Sequence, residues 1–292
     1  MTLRTALGSL LQQEDLNFAL TNRIPRKLLT RFMGWFSRIE HPLVSRPSLW
    51  AFRFFADDLN LAEARQTKFK SVHDCFIREL KDGARPIDGD ESTLVSPCDA
   101  IVGASGRIDG AQLIQAKGFP YTLHDLLLDE DLARTYTDGT YVTLRLKANM
   151  YHRFHAPHES RVEQVTFIPG DLWNVNPIAL KRVERLYARN ERAVIRMRLL
   201  KNGHLITLAP IAAVVVASLR FEFLDVRLHL DYRGPKVIPC DAVLRKGQEM
   251  GRFEQGSTII VFAPALMTLH RNLKRTFDPD GILNPGRLYT DL

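Results

Sequence analysis

From Arg85-Pro86 onward the chain is built of short β-rich runs separated by turn residues, with no persistent strand-helix-strand rhythm. The runs are 93–95, 100–102, 112–115, 141–146, 162–168, 193–199, 205–220 and 257–262. Short strands without regular crossover helices predict an α+β fold with a mostly antiparallel sheet rather than a doubly wound one. Short helices are expected at 71–80, 123–127 and 177–187. With 292 residues, 45% of them hydrophobic, the chain can bury a sizeable core.

The N-terminal region has a different texture. Leu28, Phe32, Trp35, Phe36 and Ile39 recur at helical spacing after Pro25, and Arg26, Lys27, Arg31 and Arg38 flank them. Trp50, Phe52, Phe54 and Phe55 follow the expected breakers Pro42 and Pro47. Two readings fit: a helix packed on its own core, or one lying in a membrane interface, where rings tolerate the headgroup zone and cations meet anionic lipid. Lys plus Arg outnumber Asp plus Glu by 40 to 33, a net +7, which favours an anionic partner. The longest mostly apolar run, 205–219, contains Thr207 and Pro210 and is too short to span a bilayer, so it reads as a buried strand. Arg4, Gln12, Gln13, Glu14 and Asp15 interrupt any signal-peptide core. Cys75, Cys98 and Cys240 form no C-x-x-C pair and encode neither a disulfide framework nor a zinc ribbon, so a reducing compartment is expected.

Four short segments carry reactive residue types: 96–99, 151–155, 190–192 and 256–258. Together they hold an Asp, a His and a Ser, the minimum set for activating a hydroxyl. Each taken alone has an ordinary reading: Asp99 as a turn residue, His152 and His155 as local hydrogen-bond partners, Asn190-Glu191-Arg192 as a solvated patch. Ser257 lacks the Gly-x-Ser-x-Gly context of an α/β-hydrolase. His152, His155 and His158 have suggestive metal spacing but no obvious carboxylate partner, and no metal is assigned.

Nine blocks, in order from about Lys68 to Pro264, resemble the phosphatidylserine decarboxylases. Among them are Phe76-Ile77-Arg78-Glu79-Leu80 with Arg85-Pro86, Ser96-Pro97-Cys98-Asp99, Gln115-Ala116-Lys117-Gly118, and Tyr151-His152-Arg153-Phe154-His155. Others are Pro169-Gly170-Asp171-Leu172, Ala188-Arg189-Asn190-Glu191-Arg192, Lys246-Gly247-Gln248-Glu249 and Gly256-Ser257-Thr258. Ala100, Gln255, Ala212 and Ala217 depart from the pattern without removing a reactive group.

The resemblance implies a self-processing proenzyme. The Ser257 hydroxyl attacks the Gly256 carbonyl, elimination releases the upstream chain, and a covalent pyruvoyl cofactor derived from Ser257 caps the new N-terminus. His155 is then the base, Asp99 orients it, and His152 assists protonation during decarboxylation. The products are subunits 1–256 and 257–292. The implied reaction converts phosphatidylserine to phosphatidylethanolamine. Another amino-headed lipid, an amino acid, or an inert basic membrane-binding domain are the alternatives.

The substrate gives residues 25–55 a reason to meet an anionic membrane surface. The expected location is peripheral, on the cytoplasmic face of a bacterial inner membrane, with no nucleic-acid partner and with room for a homodimer. The expected organisation is 1–67 as N-terminal amphipathic helices that dock on the membrane, 68–264 as the catalytic domain, and 265–292 as an atypical tail. Residues 269–289 resemble the end of FAD-linked oxidases of the glycolate oxidase type, but no flavin-binding domain accompanies them and no flavin is assigned.

Overall fold

The computed structural model describes residues 13–56, 59–114, 119–215, 218–254 and 258–264. Three N-terminal helices, α1 (Glu14–Asn22), α2 (Arg26–Phe36) and α3 (Pro42–Phe55), precede a short α4 (Val72–Phe76). The α+β body then runs β1 (Ile101–Arg107), β2 (Gln112–Ile114), β3 (Pro120–Thr122), α5 (Leu123–Leu127), α6 (Glu130–Thr135), β4 (Thr140–Arg145) and β5 (Arg153–His155). It continues through β6 (Ser160–Ile168), α7 (Pro177–Arg182), α8 (Leu186–Arg189), β7 (Arg192–Leu199), β8 (Leu205–Ile211) and β9 (Ser218–Phe221). It ends with β10 (Arg227–His229), β11 (Val237–Leu244), β12 (Glu249–Phe253) and β13 (Thr258–Ala263).

Seven strands form one antiparallel sheet in the order β1-β4-β13-β8-β7-β6-β11, and four form another in the order β10-β9-β12-β5. Side-chain alternation in β13 shows how the layers stack. Ile259 and Val261 face Phe154, Leu219 and Phe253 of the smaller sheet. Ile260 and Phe262 face Leu123, Leu126, Leu127 and Tyr187 on the helical side. A strand covered on both faces must be apolar throughout, and every residue of β8 and β13 is buried.

Several local expectations change. The run 205–220 is two strands in different sheets, because the chain leaves the large sheet at Ile211 and enters the small one at Ser218. Between them Val215 takes φ +62°, and its N–H donates to Thr30 Oγ1 of α2 at 2.9 Å. The helix expected at 71–80 stops at Phe76. Residues 79–81 instead pair with 63–65, through Arg65 N–H to Glu79 O and Lys81 N–H to Glu63 O. The 177–187 helix breaks into α7 and α8 at Arg185, which has φ +51°. Pro42 and Pro47 do not break a helix: Pro42 opens α3 in its first turn, where no donor is needed, and Pro47 sits inside it.

The residues buried in the three N-terminal helices are the polar Asn22, Thr30 and Ser45. Helices α2 and α3 are inside out, with Leu28, Phe32, Leu43, Trp50 and Phe55 exposed and Trp35 64% exposed, whereas Phe18 of α1 packs on the helical side of the core. The packed-core reading of residues 25–39 is therefore overturned for α2. Nor do its cations all point to solvent. Arg26 forms a two-pronged pair with Asp171 and stacks on Trp173, Arg31 pairs with Asp231, and Arg38 pairs with Glu254. No helix among the described residues is long and apolar enough to cross a membrane.

Candidate active site

Five strands end together at one edge of the large sheet. Thr258 opens β13 opposite Arg145 of β4 on one side and Ile211 of β8 on the other. Ile101 of β1 lies opposite Arg145, and Arg192 of β7 opposite Ile211. Gly256 and Ser257, the expected cleavage pair, lie outside the described residues, as do 115–118 and the tail 265–292. Thr258, the residue after them, stands in the middle of this row.

The expected histidines arrive from β5 and the loop before it. Residue 155 of β5 pairs in register with Glu249 of β12, and β12 leads directly toward the cleavage segment. His155 is held at both ring nitrogens. Nδ1 is 3.0 Å from the Gly247 carbonyl, so it carries the proton, and Nε2 is then the acceptor for the Tyr151 hydroxyl at 3.2 Å. Burial pushes its pKa down, against the Gly247 bond and the charge of Asp99. The side chain is thus a neutral imidazole with its lone pair on Nε2, the form a general base requires.

Asp99 sits in a tight loop that β5 fastens. The His155 N–H donates to Pro97 O at 2.7 Å, Ser96 Oγ donates to Cys98 O, and Cys98 is buried in the core. The Asp99 carboxylate takes a two-pronged grip from Arg85, at 2.9 Å to Oδ1 and 2.6 Å to Oδ2, and Arg85 also reaches Glu63. Asp99 acts on His155 through its charge. The bond that fixes the tautomer comes from the Gly247 carbonyl. Asp99, Tyr151, His155 and Gly247 all line a cleft of about 780 Å³.

His152 is fully enclosed and stacks on Phe76 with ring centroids 3.7 Å apart. Neither ring nitrogen makes a hydrogen bond among the described residues. Burial and the charge of Arg78 push its pKa down to about 3, with the Met150 backbone the one group favouring the charged form. Its carbonyl accepts from Phe253 N–H at 2.9 Å, four residues before Ser257. His158 does not join the other two histidines. Its ring nitrogens lie on the Glu91 and Glu159 carbonyls, and no cluster able to hold a metal ion occurs among the described residues.

Sequence reasoning missed Tyr151, Gly247 and Arg85 as site residues although all three lie in the quoted blocks. Position 151 is four residues from 155, but nothing in that spacing announces a hydrogen bond between residues on either side of a loop. The segment Asn190-Glu191-Arg192 is not a solvated patch. Asn190 bonds the Trp173 and Ala212 carbonyls. Arg192 spends its guanidinium on the Leu126, Ala188, Asn190 and Asp125 carbonyls, and all three residues are buried.

Comparison with known proteins adds a second line of evidence. The family model for phosphatidylserine decarboxylase matches residues 72–276. A phosphatidylserine decarboxylase proenzyme from Vibrio parahaemolyticus is 36% identical over 253 residues, covering 81% of this chain and 86% of the relative. One from Photobacterium profundum is 34% identical over 296 residues, covering 96% of this chain and 97% of the relative. One from Halorhodospira halophila is 36% identical over 245 residues, covering 83% of each. The family match runs past Pro264, where the blocks end, into the region set apart as a tail. With these matches spread over most of its length, the chain belongs to the phosphatidylserine decarboxylase family.

Proposed function

We propose that this enzyme decarboxylates phosphatidylserine to phosphatidylethanolamine, using a pyruvoyl group made from Ser257 by self-cleavage after Gly256. The observation that carries this reading is a neutral His155 and a His152 without hydrogen bonds at its ring nitrogens among the described residues, both fastened to β12, the strand that leads through the cleavage pair to the Thr258 row. Positions 256 and 257 immediately precede that row. His155 Nε2 takes the Ser257 hydroxyl proton as the oxygen attacks Gly256, and the nearby charge of Asp99 stabilises the imidazolium that results. Tyr151 yields its place on Nε2 at that step.

A pyruvoyl group supplies a ketone that takes up the amino headgroup and draws the electrons left when carbon dioxide departs. The residues at hand suit it. His152 is neutral, shielded from bulk water and, among the described residues, free of hydrogen bonds at both nitrogens, so it passes a proton to the carbon from one nitrogen only as the other takes one up from the substrate side. The inside-out helices suit a lipid substrate. A bilayer covers Leu28, Phe32, Trp35, Leu43 and Trp50, and the protein sits peripherally on an anionic surface.

Intact mass of the freshly purified chain tests the processing step. The expected result is two species, 1–256 and 257–292, the smaller one keto-capped, together with release of phosphatidylethanolamine from vesicles. Ser257→Ala and His155→Ala should each remain one full-length, inactive species. A wild-type chain that stays whole, or a Ser257→Ala chain that still splits, overturns the scheme.

A further inference from the structure

A second cleft, of about 280 Å³, opens between α2 and the β9–β10 hairpin. Its walls carry three guanidiniums, Arg31 from α2, Arg38 just past its end and Arg227 from β10, against two carboxylates, Asp231 and Glu254. The pairing is specific. Asp231 takes a two-pronged grip from Arg31, and the buried Glu254 is shared by Arg38 at 2.7 Å and Arg227 at 2.8 Å. His229 also lines the cleft and is held toward its neutral form by burial and by Arg227. Three positive and two negative side chains leave one positive charge, the complement of a single phosphodiester. The arginines keep donors to spare: Arg38 uses one of its five N–H groups, and the three side chains are 54%, 39% and 45% exposed.

The cleft wall includes the residue that follows β12, the strand that leads to the cleavage pair. Glu254 forms part of its wall and is three residues from Ser257, a span of at most about 10 Å of extended chain. The Glu254 N–H donates to Ser218 O across the cleft floor. Above it, α2 presents Leu28, Phe32 and Trp35 outward, and Thr30 of the cleft wall accepts the N–H of Val215, four residues past the end of β8.

Resting on the lipid decarboxylase reading above, we propose that the cleft walled by Arg31, Arg38 and Arg227 binds the phosphate group of the substrate. Guanidiniums suit this task because their planar fork matches two phosphate oxygens. The cleft accepts the phosphodiester of a lipid headgroup, and free phosphate shares the chemistry.

Arg227→Gln and Arg31→Gln, made in the full processed chain, separate these possibilities, with Lys201→Gln as a surface control of equal charge change. Arg31 does not touch Glu254, so that variant decides the matter if Arg227→Gln fails to process. Each variant is assayed on phosphatidylserine diluted into phosphatidylcholine vesicles, on soluble glycerophosphoserine, and by sedimentation with phosphatidylglycerol–phosphatidylcholine vesicles. The expected result is a KM raised about tenfold on both substrates, the scale of one lost charge-assisted hydrogen bond. Subunit formation in Arg31→Gln and sedimentation in both variants stay as in wild type. Inorganic phosphate should inhibit the wild type and lose potency against the variants. An unchanged KM overturns the proposal. So does a loss confined to vesicles and matched by lost sedimentation, which makes these arginines contacts to the bilayer surface. A wild-type enzyme that processes but turns over neither substrate defeats the substrate reading instead.

Discussion

Glu191 shows how far a single residue can depart from its sequence reading. Its carboxyl is buried beside Asp231 and Lys27, and burial raises its pKa to about 7, with Asp231 adding to the effect and Lys27 opposing it. The folded state therefore holds a proton that the unfolded chain releases near pH 4.5. The stability this provides is present below pH 4.5 and is lost as pH rises through 7. Glu191→Gln cannot titrate. Relative to wild type, the variant should gain roughly 2–3 kcal/mol between pH 4.5 and 8, read from urea midpoints at the two ends. A constant difference would place the carboxyl in water. The pKa of His155 is lowered for the same reason, burial, and its Nδ1 proton is held by the Gly247 carbonyl rather than by Asp99.

At the scale of the element, α2 is held by its polar side. The pairs to Asp171 and Asp231 come from its positions 26 and 31, that to Glu254 from Arg38 just past its end, and Thr30 closes on the Val215 N–H. An ordinary amphipathic surface helix does the reverse. Replacing Leu28, Phe32 and Trp35 together by Ser should therefore leave the melting temperature within about 2 °C of wild type, since these exposed side chains bury little apolar surface that the change could lose. The same change should weaken vesicle binding at least tenfold, because each exposed apolar side chain contributes on the order of 1–2 kcal/mol when a bilayer covers it. A large fall in melting temperature with unaltered binding would show that these side chains pack inward. The helical period of 25–39 was legible in the sequence, and so was its division into apolar and basic sides. Which side faces the body was not, because periodicity identifies a face without identifying what covers it.

The whole molecule joins three layers around the edge where the strands end, and some backbones meet there too closely for any side chain. Gly170, in the loop after β6, is one such place: a Cβ there would lie 2.6 Å from the Arg189 carbonyl oxygen and 2.6 Å from the Glu191 nitrogen. The atoms it meets are backbone, and they belong to the Asp171–Asn190 bridge that carries Glu191 and Arg192 into β7. Gly170→Ala should cost about 2–4 kcal/mol by equilibrium unfolding and slow formation of the two subunits in parallel. Unimpaired stability would mean that the loop has room to yield.

The sequence alone determined the α+β class, the apolar strands β4, β7, β8 and β13, and the residue types of the candidate site. Hydrophobic alternation, turn residues and an ordered set of blocks are local or one-dimensional signals, and they survive without coordinates. Only the tertiary structure decided that 205–220 splits between two sheets, that Gly247 rather than Asp99 bonds His155 Nδ1, and that α2 and α3 turn their apolar faces outward. Each of these depends on which distant segments share a boundary: 247 with 155, 30 with 215, 38 with 254. Such pairings are chosen by the packing of whole layers, where burial and the pairing of charges are settled together, and no window along the chain contains both partners.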